Sequence, residues 1–160
     1  MKQVSDYLKI LEESLSKKVT VLQALLEESK RQSEIADSAE LDLDAFEETL
    51  EQKEALLNQL EELDNGFDSV FEQIHAEVKQ DAKKYKNEIQ SLQQLIRKCT
   101  DIGVEIQATE ERNKAKLAVK FAGQQRELRQ IKTSTQVAST YYKSMSSQQM
   151  SDPYFLDEKK

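Results

Sequence analysis

The chain has 160 residues, with one proline, three glycines, one cysteine and no tryptophan; charged residues make up 33% and apolar ones 38%. So few breakers exclude sandwiches, barrels and doubly wound sheets, whose closely spaced turns need Gly, Pro or Asn-Gly, and one cysteine excludes a disulfide framework. The net charge of −7 argues against non-specific nucleic-acid binding. No apolar run reaches the roughly 18 residues a transmembrane helix needs, and the charged start MKQVSDYLKILEESL lacks the apolar core of a secretory signal.

The first element carries Val4, Leu8, Leu11, Leu15, Val19, Leu22 and Leu26 at steps of three and four. That is the seam of a helix packed at a shallow angle on its neighbours, and it predicts a helix over about residues 3–34. The seam fades in Ser29-Lys30-Arg31-Gln32-Ser33, and Asp37 and Ser38 offer N-caps for the next helix, so a turn is expected there.

A second seam runs through Leu43, Phe46, Leu50, Lys53, Leu57, Leu60, Asp64, Phe67, Phe71, Ile74 and Val78. Its spacing holds through two polar members, Lys53 and Asp64. Asp64-Asn65-Gly66 is the one strong breaker here, and Gly66 marks either a kink or a helix end with an immediate restart. The second helix is expected over about 38–63.

The third helix is expected to begin near 66 and to run to about 132–140, some 100 Å at 1.5 Å per residue. Its seam continues through Tyr85, Ile89, Leu92, Ile96, Cys99, Gly103 and Ile106, then thins. Gly103 falls on the seam, which points to close approach of a neighbouring helix or to a hinge. From Asn113 the stripe is Leu117, Phe121, Leu128 and Ile131, flanked by Ala115, Ala118 and Ala122. After Lys132 the composition turns polar, with twelve Ser, Thr or Gln among residues 133–151. This segment offers little apolar surface against its ordering entropy, although it holds Tyr141, Tyr142 and Met145. The expected fold is therefore all-α: an elongated antiparallel helical bundle, or coiled-coil hairpin, of three main helices with a very long third. Residues 1–132 form one helical bundle domain and 133–160 a polar, partly flexible tail.

Charge is unevenly spread. Residues 34–77 hold fifteen acids and one base, Lys53, whereas 112–132 hold seven bases and one acid, Glu127. Either the basic stretch lies along the acidic one within the molecule, or one of the two faces a partner.

Groups for catalysis are scarce. His75 is the only histidine, and Cys99 is expected to be core packing with His75 at a surface or seam position. Glu72-Gln73-Ile74-His75 matches the metal-binding Glu-x-x-His of helical di-iron proteins, but those need the motif twice. No zinc-type cysteine pair and no glycine-rich phosphate loop is present, so neither cofactor nor metal is expected. The acid pairs Glu47-Glu48, Glu61-Glu62 and Glu110-Glu111 read as solvated helix faces. The 112–132 segment lacks the dense apolar face of a membrane-surface helix and the aromatics of an RNA-binding arm.

Several phrases go beyond generic coiled coil: Phe46-Glu47-Glu48 to Lys53, Leu63-Asp64-Asn65-Gly66-Phe67, Thr100 through Gln107, Glu110-Glu111-Arg112-Asn113-Lys114, and Tyr141-Tyr142-Lys143-Ser144-Met145. Together with the length and the heptads they resemble the FlgN family of flagellar export chaperones, in its clostridial form, over nearly the whole chain. The resemblance implies a cytoplasmic, non-enzymatic role: binding hook–filament junction proteins, preventing their premature assembly and delivering them to the type III export apparatus. It implies cargo binding near the C-terminus, hence Leu117, Phe121, Leu128 and Ile131 against an amphipathic C-terminal helix of the cargo. It makes Tyr141 or Tyr142 the export-gate contact. Such a chaperone is a monomer or homodimer; the alternative is a structural coiled-coil spacer or oligomerisation module with no cargo.

Overall fold

A computed structural model describes residues 3–122 as three helices: α1 (Val4–Asp37), α2 (Leu43–Gln80) and α3 (Lys86–Lys120). The expected tail, 133–160, lies outside the described residues, as do residues 123–132 of the expected bundle. The helices have 34, 38 and 35 residues, about 50–57 Å each at 1.5 Å per residue. They run up, down and up, so α2 is antiparallel to both neighbours. α1 packs against both of the others at the base, in the middle and at the distal end of the bundle. No strand is present among the described residues.

Caps set the first turn. Gln3 and Asp6 close a reciprocal capping box at the start of α1, with the Gln3 N–H donating to the Asp6 carboxylate at 3.2 Å. Ser38 is not the N-cap of the second helix but the C-cap of the first; its N–H donates to the Ile35 carbonyl. The N-cap of α2 is Asp42, whose side chain accepts the Ala45 N–H at 3.1 Å.

The second turn is not where glycine pointed. α2 passes through Gly66 without a break and ends at Gln80, so the third helix begins about twenty residues later than expected and, within the described residues, is about as long as the other two. Gly66 is exposed, and a Cβ there would meet nothing within 4 Å. Its helix cost of about 1 kcal/mol is outweighed by buried Phe67 one residue on and the Lys18–Asp64 ion pair two residues back. The chain reverses instead at 81–85, where six polar or small residues separate buried Val78 from buried Tyr85. The Lys84 N–H closes the turn on the Asp81 carbonyl at 3.0 Å.

Three apolar clusters stack along the bundle. The base joins Leu8, Leu11 and Leu15 to Phe67, Ile74 and Val78 of α2 and to Tyr85, Ile89, Leu92 and Ile96. The middle joins Leu22, Leu25 and Leu26 to Leu60, Cys99 and Ile106. At the distal end a small cluster holds Ala36, Phe46, Leu117 and Phe121. The α1 seam does not fade at 29–33. It continues as Ser29 and Gln32, both buried, before Ala36. Likewise the α3 seam does not thin after Ile106 but continues as buried Glu110 and Asn113 to Leu117. Polar side chains thus occupy seam positions on every helix.

Candidate functional site

The distal third of the bundle gathers the groups with chemistry to explain. Glu110, expected on a solvated face, is buried; its partner in sequence, Glu111, is exposed. The Glu110 carboxylate accepts from the Ser29 hydroxyl at 2.5 Å and from the Lys53 ammonium. Lys53 also donates to Gln32 Oε1 at 3.0 Å, and Gln32 Nε2 donates to the Thr49 hydroxyl at 2.8 Å. The Thr49 hydroxyl in turn donates to the Phe46 carbonyl at 2.5 Å. Asn113 Nδ2 donates to the Ser29 carbonyl at 2.8 Å, and its Oδ1 accepts from Ser33. One connected network therefore ties all three helices together.

Its electrostatics follow from burial. Lys53 is 2% exposed, and desolvation pushes its ammonium below the ordinary lysine range; the charge and hydrogen bond of Glu110, then the charge of Glu28, pull it partly back. A second ion pair lies lower, between Lys18, 1% exposed, and Asp64 at 2.6 Å. Sequence reasoning identified Lys53 and Asp64 as seam positions and missed their partners, Glu110 and Lys18. The signal was available: both fall in phase with the seams of their own helices.

Of the expected cargo-binding residues, Leu117 and Phe121 are brought together, but inside the protein, at 2% and 1% exposure. The Phe121 ring meets Phe46 at 5.8 Å between centroids. Neither offers an apolar surface in this closed form. Leu128, Ile131, Tyr141 and Tyr142 lie outside the described residues.

The basic stretch meets the acidic one at its edge. Lys116 pairs with Asp37 at 2.9 Å, and Lys120 donates to the Ser38 carbonyl. Both contacts are exposed, so they contribute little. From Leu43 to Val78 the exposed face of α2 carries carboxylates such as Glu47, Glu48, Glu51, Glu61 and Glu62, and no exposed lysine or arginine.

Cys99 is buried, and burial raises its thiol pKa to about 11, with smaller opposed effects of Lys18 and Asp64. His75 is exposed beside the Phe71 ring. Among the described residues no group of three His, Cys, Asp or Glu side chains could hold a metal ion, and no helix is long and apolar enough to cross a membrane. Comparison with protein-family models, with curated proteins and with solved structures finds no match for the chain.

Proposed function

We propose that this protein is a cytoplasmic flagellar export chaperone of the FlgN type, which binds hook–filament junction proteins through its C-terminal region and hands them to the export gate. The observation that carries the reading is the set of local phrases from Phe46 to Met145, borne on an all-helical bundle. Binding needs an apolar stripe at helical spacing and no catalytic group, since an amphipathic helix docks through i, i+3, i+4 and i+7 anchors. With Leu117 and Phe121 in the closed core, the remaining members of the proposed cargo surface are Leu128 and Ile131, which lie outside the described residues. Tyr141 or Tyr142 then serves as the gate contact. A structural rod would carry its seam to another chain. Here α1 closes its seam on α2 and α3 of the same molecule, which favours the chaperone.

The test is co-purification from the cytosol of a flagellated host, followed by titration with the C-terminal helix of the captured protein. A junction protein should be recovered, and Leu128→Asp should abolish its binding while far-ultraviolet circular dichroism stays unchanged. Recovery of no flagellar subunit, or unfolding of the Leu128→Asp protein, refutes the proposal.

A further inference from the structure

Apolar contact along the bundle is interrupted most fully at one level. Below it, the base and middle clusters are linked through Leu95, which packs against both. Above it, among the described residues, only Ala36, Phe46, Leu117 and Phe121 are buried together, with half-buried Ile35, Leu41 and Leu50 around them. Between lies the layer of Ser29, Gln32, Thr49, Lys53, Glu110 and Asn113, which spans all three helices and hydrogen-bonds to itself.

Such a layer divides cooperativity. Apolar burial is lost gradually as a cluster opens, and clusters in contact lose it together. The groups of the polar layer exchange their partners for water at small net cost. The buried ammonium and carboxylate recover hydration when they separate. Opening the bundle at this level therefore uncovers four core side chains among the described residues, hydrates an ion pair and leaves the larger clusters intact. The base end has no equivalent division, because ten buried side chains run through it as one cluster.

We infer that the distal end, residues 29–53 with 109–122, opens as a unit separate from the rest of the bundle. The opened form turns Leu117 and Phe121, one helical turn apart, toward water. The inference stands on the packing alone and does not need the export reading; it supplies that reading with a surface the closed form hides.

Native-state hydrogen exchange of the full chain, read by mass spectrometry, tests it. Peptides covering 30–36, 46–53 and 110–117 should exchange about tenfold or more faster than those covering 19–26, 60–67 and 99–106. Simple fraying affects both ends alike, so the matching base segments, 8–15, 71–78 and 89–96, serve as the control and should stay protected. Equal protection of the distal and base ends overturns the inference. So does survival of the difference in Lys53→Met/Glu110→Leu, where an apolar pair bridges the middle and distal clusters and should bring the distal rates to within about threefold of the middle. If that variant does not fold, the wild-type comparison of the two ends still decides.

Discussion

Removing one side of the buried ion pair should cost far more than removing both. In Glu110→Leu the Lys53 ammonium keeps only Gln32 as an acceptor, and the Ser29 hydroxyl loses its carboxylate. An uncompensated buried charge costs about 3–5 kcal/mol. Neutralisation sets a ceiling: a lysine of ordinary pKa forced to give up its proton at pH 7 costs about 5 kcal/mol, at 1.36 kcal/mol per pH unit. The added leucine recovers about 1–2 kcal/mol of burial, so a net loss of about 3 kcal/mol is expected. Lys53→Met leaves Glu110 with Ser29 as donor. That carboxylate is then buried without its charge partner, which gives a loss of similar size. The double variant Lys53→Met/Glu110→Leu should be near neutral, because the relief of two buried charges and the added apolar burial offset the Ser29 hydroxyl and Gln32 Oε1 left without partners.

Guanidinium chloride unfolding followed by circular dichroism gives the three free energies, and the cycle should show a coupling of about 3 kcal/mol or more. The pH dependence has a definite sign. The folded-state pKa of Lys53 lies below its unfolded value of 10.5. Between the two the unfolded chain binds more protons, so the penalty is complete below the folded pKa and is relieved as pH rises toward 10.5. Glu110→Leu should sharpen that rise and Lys53→Met should remove it. Single variants that each cost under about 1 kcal/mol, or a double variant that costs the sum of the singles, would refute this account of the network.

Gly66→Ala should stabilise by about 0.5–1 kcal/mol, because the site is helical, exposed and open around the new methyl; a lower thermal midpoint would instead place a turn or kink there. Cys99 should resist disulfide reagents at pH 8: a thiol raised from 9.0 to about 11 holds about 100-fold less thiolate, so its labelling rate should reach that of a solvated thiol only in denaturant, and fast native labelling would contradict its burial. Phe121→Ala should cost about 3 kcal/mol in chemical unfolding, since the ring is 1% exposed against Phe46; an unchanged midpoint would remove Phe121 from the core.

The helical class was legible because steps of three and four persist from Val4 to Leu117, and periodicity survives loss of every other detail. The second turn was not legible, for a reason of phase. Val78 and Tyr85 are seven residues apart, so the seam reads as continuous across a reversal of the chain. Gly66 attracted the boundary because glycine is a costly helix residue, yet packing on both sides of it decided otherwise. Glu110 was misread for a related reason. Beside Glu111 and near Arg112 it looks like a charged surface, and only its position four residues after Ile106 places it inward. Heptad phase was a better guide to burial than residue type.

Charged seam positions also distinguish one alignment of the helices from another. Lys53 meets Glu110 of α3, and Asp64 meets Lys18 of α1. The two α2 members are eleven residues apart, about 16 Å along the helix. Apolar seams built from leucine every three or four residues pack almost as well after sliding by one heptad, so they specify register weakly. A slip of α2 by seven residues would open both pairs at once and carry Lys53 and Asp64 away from their partners. We expect the pairs to select register, in the manner of a single buried polar residue in a coiled coil. Replacing all four residues, in Lys18→Met/Asp64→Leu/Lys53→Met/Glu110→Leu, should preserve helicity and keep a cooperative unfolding transition. It should also give more than one set of backbone amide resonances in nuclear magnetic resonance spectra. A single sharp set would show that helix lengths and turns alone fix the alignment, leaving the ion pairs no part in it.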